Sequence, residues 1–102
     1  MRSSSGDKVR LQHIYDAVLE IESYVQKSSY EEFQSNTMMQ FASVKQLEII
    51  GEAANHLTPH FKKLYSEIHW REIIALRNLL IHEYFGIDTK IVWVLSKQIL
   101  FY

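Results

Sequence analysis

Residues 70–84, which read WREIIALRNLLIHEY, carry the strongest structural signal in this chain. An α-helix turns about 100° per residue, so side chains spaced i, i+3, i+4 and i+7 share one stripe. That stripe consists of Trp70, Ile73, Ile74, Arg77, Leu80, Ile81 and Tyr84. All but one suit a buried face, whereas a guanidinium is costly there unless it is paired or meets a partner surface. The stretch therefore predicts a core-facing helix with Arg77 in a paired or functional position.

Two polar side chains lie on the neighbouring face of this predicted helix. Asn78 and His82 are spaced i, i+4 and are therefore adjacent, and Arg77 is long enough to reach around the helix towards them. Such a trio provides positive charge for a phosphate and a group that exchanges protons, which a phosphate-binding or RNA-cleaving site needs. A purely structural interpretation stays open: His82 caps carbonyls at the helix end, and Arg77 pairs with a carboxylate from the second helix.

The bulk composition is that of an ordinary globular domain. The 102 residues are 47% hydrophobic and 23% charged, and we expect a flexible lead over residues 1–6 followed by one domain over 7–102. The net charge of −1 argues against non-specific electrostatic binding of nucleic acid by the protein surface as a whole, so any RNA contact must be local. The chain lacks cysteine, an apolar membrane span and an apolar signal core, and a cytoplasmic location is the default expectation.

The hydrophobic periodicity predicts an all-α fold, an antiparallel up-and-down bundle of four to five helices. The predicted helices cover residues 7–27, 37–57, 59–65, 68–84 and 89–102, and a connector over 30–36 contains at most one helical turn. The expected N-caps are Asp7, Asn36 or Thr37, Thr58 before Pro59, and Asp88, and Gly86 is expected to end the fourth helix. The first helix has the stripe Leu11, Ile14, Val18, Ile21 and Val25, and the second has the core row Val44, Leu47, Ile50, Ala54 and Leu57. The last helix carries Ile91, Val94, Leu95, Gln98 and Ile99. Gly51 should let a second helix approach closely.

Three separated motifs resemble one protein family. An R-x4-H-x-Y pattern runs from Arg77 to Tyr84, IIGEAA precedes it at residues 49–54, and GID and VW follow at 86–88 and 92–93. In this order they resemble the HepT-like branch of the HEPN domains (higher eukaryote and prokaryote nucleotide-binding). The likeness covers nearly the whole chain from Asp7 onward.

The resemblance implies the toxin of a type VII-like HEPN/MNT toxin–antitoxin pair, acting as a homodimeric, metal-independent endoribonuclease without a cofactor. Carried over by motif position, Arg77 and His82 are the catalytic pair and Asn78 is the polar residue after the arginine. The implied partner is an MntA-type minimal nucleotidyltransferase antitoxin, which would transfer AMP to Tyr84. Two rival interpretations remain: a non-catalytic subunit that binds nucleotide or RNA for a partner nucleotidyltransferase, and a structural helical partner.

Other polar and aromatic residues allow simpler interpretations. Glu52 lies in a polar row with Lys45, Glu48 and His56, where it either belongs to a solvated face or supports the site by pairing with Arg77 or orienting His82. The scattered histidines predict no metal site, and those outside the motif read as surface or capping residues. They are His13, His56, His60 and His69. Trp70 and Trp93 are expected to be packing anchors.

Overall fold

A computed structural model describes residues 4–81 and 89–99, with side chains over 6–77 and 89–99. The described residues form six helices and no strand, which confirms the all-α prediction. The longer helices are α1 (Ser4–Val25), α3 (Thr37–Asn55), α5 (Trp70–Ile81) and α6 (Thr89–Gln98), and the short ones are α2 (Tyr30–Gln34) and α4 (Pro59–Leu64). Within these ranges, no helix is both long and apolar enough to span a membrane.

Local side-chain caps explain where three of these helices begin. The Asn36 side chain accepts a hydrogen bond from the Met39 N–H at 3.0 Å, and the Thr58 hydroxyl accepts one from the Phe61 N–H at 3.2 Å. These contacts satisfy backbone donors that the first helical turn leaves unpaired, and both predicted caps are confirmed. Ser29 starts α2 with a capping box, which turns the predicted connector into a short helix. The expected stop at Gly86 and cap at Asp88 lie outside the described residues.

The predicted role of Asp7 as an N-cap is wrong. α1 already begins at Ser4, and Asp7 is a buried residue inside it, only 5% exposed. Its carboxylate accepts hydrogen bonds from the Thr58 N–H at 2.8 Å and the Thr58 hydroxyl at 2.6 Å. The acceptor thus serves the start of α4 rather than its own helix, because the fold brings together residues 51 positions apart.

The core is organised around α3, which packs against α1 and α5 and also contacts α2 and α6. Ile21, Val25, Leu47 and Ile50 are fully buried, as their rows predict. Leu11, Ile14, Val18 and Val44 are only partly buried. Because α3 lies at the centre of the bundle, side chains on its surface lie next to neighbouring helices.

The apolar residues predicted for the last helix are only partly buried in α6. Ile91 and Val94 are 45% and 46% exposed, whereas Val92 is buried at 2% and only Ile99 of the predicted row is buried. The Trp93 ring packs against Phe33 at a centroid distance of 5.2 Å, which confirms its role as a packing anchor. This aromatic contact holds α6 against α2 in a fixed orientation about the helix axis. The side of α6 that carries Ile91 and Val94 is therefore not the buried side.

Candidate functional site

Gly51 brings the backbones of α3 and α5 into direct contact. A Cβ atom at this position would lie 2.7 Å from the Arg77 backbone nitrogen and 3.1 Å from the Ile73 carbonyl oxygen. Those distances leave no room for any side chain, which confirms the predicted close approach. The contact places the Arg77 backbone against α3, and the Cβ atom of Arg77 therefore lies next to the surface of α3.

Arg77 lies at the edge of the buried face of α5, not in its middle as the spacing predicts. Ile73 and Leu76 are each 5% exposed, and the buried face is centred between them. Ile74 is only partly buried, and the Arg77 side chain is 31% exposed. Compared with the predicted orientation, α5 is rotated slightly about its axis. The Arg77 guanidinium therefore lies at the border between core and solvent, where the free-energy cost of desolvating it is lower.

Glu52 of α3 joins Arg77 to a histidine. Its carboxylate lies 3.7 Å from Arg77 Nη1 and 2.9 Å from His56 Nε2. Glu52 is 56% exposed and its shorter contact is with His56, so the geometry fits both the solvated face and the pairing with Arg77. The same geometry meets the structural interpretation of Arg77, so the pairing by itself does not separate a structural role from a catalytic one.

The contact between Arg77 and Glu52 is loose. At 3.7 Å it is longer than the roughly 2.7–2.9 Å of a charge-assisted hydrogen bond, and the Glu52 side chain is 56% exposed. An ion pair of this kind is worth at most about 1 kcal/mol. Because the ion pair is loose and the Arg77 side chain is 31% exposed, the guanidinium can still bind an anion that displaces Glu52. Its Nε atom is buried and has no hydrogen-bond partner among the described residues.

A groove opens beside this pair between α3 and α5. It has a volume of about 220 Å³ and is lined by Lys45, Glu48, Ile49, Glu52 and Arg77. Lys45 lines the groove, and His56 joins the site through its contact with Glu52. The sequence places both in the polar row of Glu48 and Glu52, but that row does not indicate which neighbouring helix it faces.

The remaining motif residues are only partly covered by the structure. The Asn78 backbone continues α5 directly after Arg77, and α5 extends to Ile81. The Asn78 side chain, His82 and Tyr84 lie outside the described residues, so their roles stay predictions. In the described part of the chain, no three His, Asp or Glu side chains are grouped as they would be around a metal ion.

Comparison with known proteins identifies the family. Residues 14–101 match the HepT-like ribonuclease family. A protein from Thermococcus cleftensis named as a probable ribonuclease HepT is 40% identical over 88 residues, which cover 86% of this chain and 80% of the relative. A Methanocaldococcus jannaschii protein named "putative RNase" is 35% identical over 91 residues, covering 89% of this chain and 84% of the relative. No solved structure matches significantly. These matches confirm the resemblance carried by the three motifs: the chain belongs to the HepT-like ribonuclease family.

Proposed function

We propose that this protein is a metal-independent endoribonuclease and the toxin of a type VII-like toxin–antitoxin pair. Membership of the HepT-like family supports ribonuclease activity, as do the ribonuclease names of its relatives. The R-x4-H spacing of Arg77 and His82 supports the metal-independent mechanism, because an arginine and a histidine provide both the charge and the proton transfer.

The observation that carries the proposal is the state of the Arg77 guanidinium. It lies at the wall of a groove, partly exposed, and its carboxylate partner is 3.7 Å away and more than half exposed. An RNA phosphate can displace such a partner, since a guanidinium binds phosphate oxygens through two parallel N–H donors.

In this mechanism Arg77 binds the scissile phosphate and stabilises the negative charge that develops on its oxygens. One His82 takes the proton from the ribose 2′-hydroxyl, whose oxygen attacks the phosphorus. A second His82, from the other copy in a homodimer, gives a proton to the departing 5′-oxygen. The products are a 2′,3′-cyclic phosphate and a 5′-hydroxyl. Asn78, one turn before His82, orients the imidazole or contacts a ribose.

Control by a nucleotidyltransferase of the MntA type is the second part of the proposal. Transfer of AMP to the Tyr84 hydroxyl would place a bulky, negatively charged phosphodiester two residues after His82. The modification would block access of RNA to Arg77 and neutralise the charge that binds phosphate. The physical requirement is that the Tyr84 hydroxyl is accessible to the partner enzyme.

The test is RNA cleavage by unmodified protein in excess EDTA, with the product ends identified by mass spectrometry. We expect 2′,3′-cyclic phosphate ends, and we expect cleavage to be lost in His82→Ala and Arg77→Ala. His60→Ala removes an exposed histidine of α4 outside the groove and serves as the matched control. Loss of all activity in EDTA, with recovery on adding a divalent cation, would overturn the metal-independent mechanism.

The same protein distinguishes the alternative function, a non-catalytic subunit that binds nucleotide or RNA. Folded, unmodified protein that cleaves no RNA but binds nucleotide, with binding lost in Arg77→Ala, would support that alternative. Incubation with the cognate nucleotidyltransferase and ATP tests control separately. We expect a mass increase of one or more AMP units on wild type and none on Tyr84→Phe.

A further inference from the structure

A second groove lies on the other side of Glu52, between α1 and α3. It has a volume of about 350 Å³. Val9, Ile49 and Ala53 provide its apolar lining, and His13 and His56 are among its polar lining residues. Apolar walls with a few polar groups around them are the usual environment for a small planar ligand.

The two grooves are continuous with each other. Ile49 and Glu52 line both of them, so they meet along one face of α3. A ligand that has a phosphate at Arg77 would therefore have its neighbouring groups directed along α3 into the second groove.

The charges along the joined grooves favour an anionic chain. Their lining includes three permanent cations, Arg10, Lys45 and Arg77, and two carboxylates, those of Glu48 and Glu52. The joined surface is thus locally positive although the whole chain carries −1. A local basic path is what an RNA contact needs in a protein that lacks bulk positive charge.

We infer that the α1–α3 groove binds a nucleobase of the single-stranded RNA whose phosphate lies at Arg77; this inference rests on the proposed function. The His56 ring contacts Glu52 at 2.9 Å and is 44% exposed, which leaves ring surface available for stacking. Unpaired bases stack on histidine rings, and their edges bond to nearby donors and acceptors. Arg10 donates one hydrogen bond to the Gly6 carbonyl at 3.1 Å, and its other N–H donors are available for a base edge or a phosphate.

The polar groups around the groove favour a base over an apolar side chain of a protein partner. An aliphatic side chain would fill the apolar lining and leave the ring nitrogen of His13 and the donors of Arg10 buried without partners. Each such loss weakens binding, because a desolvated polar group needs a hydrogen bond. A nucleobase meets both requirements, since its faces are apolar and its edges polar.

The test measures binding of a fully 2′-O-methylated RNA of about ten nucleotides, which lacks the attacking hydroxyl and cannot be cleaved. Val9→Glu introduces a negative charge at a residue that is 52% exposed, so the fold should tolerate it. Leu19→Glu makes the same type of change on α1 at a residue that is 43% exposed and outside the groove. We expect fluorescence anisotropy to show roughly tenfold weaker binding for Val9→Glu and several-fold weaker binding for His13→Ala. Leu19→Glu should bind like wild type.

Cleavage of unmodified RNA separates this inference from the proposed function. We expect Val9→Glu to raise KM and leave kcat nearly unchanged, because the groove holds the strand and takes no part in the chemistry. If Val9→Glu binds RNA like wild type while Arg77→Ala abolishes cleavage, the groove inference is overturned and the proposed function stands. If wild type cleaves nothing but Val9→Glu still weakens binding, the proposed function fails and the RNA groove stands. A change of oligomeric state by light scattering in Val9→Glu, but not in Leu19→Glu, would assign the groove to contact between copies and overturn the inference.

Discussion

Replacing Gly51 with alanine tests whether the contact between α3 and α5 positions Arg77. The added Cβ would lie 2.7 Å from the Arg77 backbone nitrogen, whereas ordinary contacts begin at 3.4 Å. The two backbones must therefore separate by about 0.7 Å, the difference between these distances. Neither clashing neighbour is a flexible side chain that could turn aside, because the nearest atoms belong to the backbone.

Two opposing effects determine the change in stability. Overpacking of this kind costs about 1–3 kcal/mol, whereas alanine is favoured over glycine in a helix by about 1 kcal/mol. Because the clash is between backbones, we expect the upper part of the range and a net loss of about 1–2 kcal/mol. For a domain of this size, that loss lowers Tm by roughly 5–15 °C. A shift approaching 1 Å in Arg77 should also reduce cleavage by roughly 10- to 100-fold, since misplacement on this scale weakens transition-state contacts.

The assay combines thermal unfolding with RNA cleavage measured well below the Tm of the variant. Ser23→Thr, which adds one carbon atom at an exposed position of α1, is the control and should change stability by less than about 0.5 kcal/mol. Cleavage at low temperature separates displacement of Arg77 from simple unfolding. The decisive quantity is the sign of the stability change. A rise of about 1 kcal/mol with normal cleavage would mean that helix propensity dominates and would refute the proposed positioning of Arg77.

Three further predictions follow from other contacts. The Thr58 hydroxyl hydrogen bond, with the Thr58 N–H, lowers the pKa of Asp7 below 3.8 despite the opposing effect of burial. A carboxylate whose pKa is lower in the folded than in the unfolded state stabilises the protein at pH values above its unfolded-state pKa. This stabilisation is lost as the pH falls through the folded-state pKa. Tm measured from about pH 6 to about pH 3 should therefore fall less in Asp7→Asn than in wild type. Phe33 is fully buried, and Phe33→Ala should lower the free energy of unfolding in urea by about 3–5 kcal/mol, whereas Phe41→Ala, at a residue 62% exposed, should change it by less than about 0.5 kcal/mol. A double-mutant cycle of Glu52→Gln and Arg77→Gln should give a coupling below about 1 kcal/mol, and a coupling of several kcal/mol would show that Arg77 is held structurally.

Much of the helical layout could be predicted because its signals are local. A cap such as Asn36 or Thr58 acts within three residues, so its effect can be read from spacing. Gly51 was recognisable for a similar reason: a lone glycine in an apolar helix indicates a close neighbour. These local rules left out the role of Ser29, whose capping box makes α2 a helix.

The candidate site was predictable only in part. The motif identifies Arg77, Asn78, His82 and Tyr84 through the family resemblance, and their roles stay predictions. The two grooves beside Glu52 were not predictable, because each is formed by two different helices: α3 and α5 for one, and α1 and α3 for the other. His13 and His56 each look like an ordinary surface histidine until α1 and α3 pack side by side.

The longer helices, most of their start signals and the family can be read from residue order alone, because these depend on neighbours within one or two turns and on motif order. How each helix is rotated about its axis depends on how the helices pack in three dimensions. That rotation buries Val92 instead of Ile91, moves Arg77 to the edge of the core and gives the Asp7 carboxylate to Thr58. The physical reason is that a helix with apolar residues on more than one side has several acceptable orientations, and packing against its neighbours selects among them.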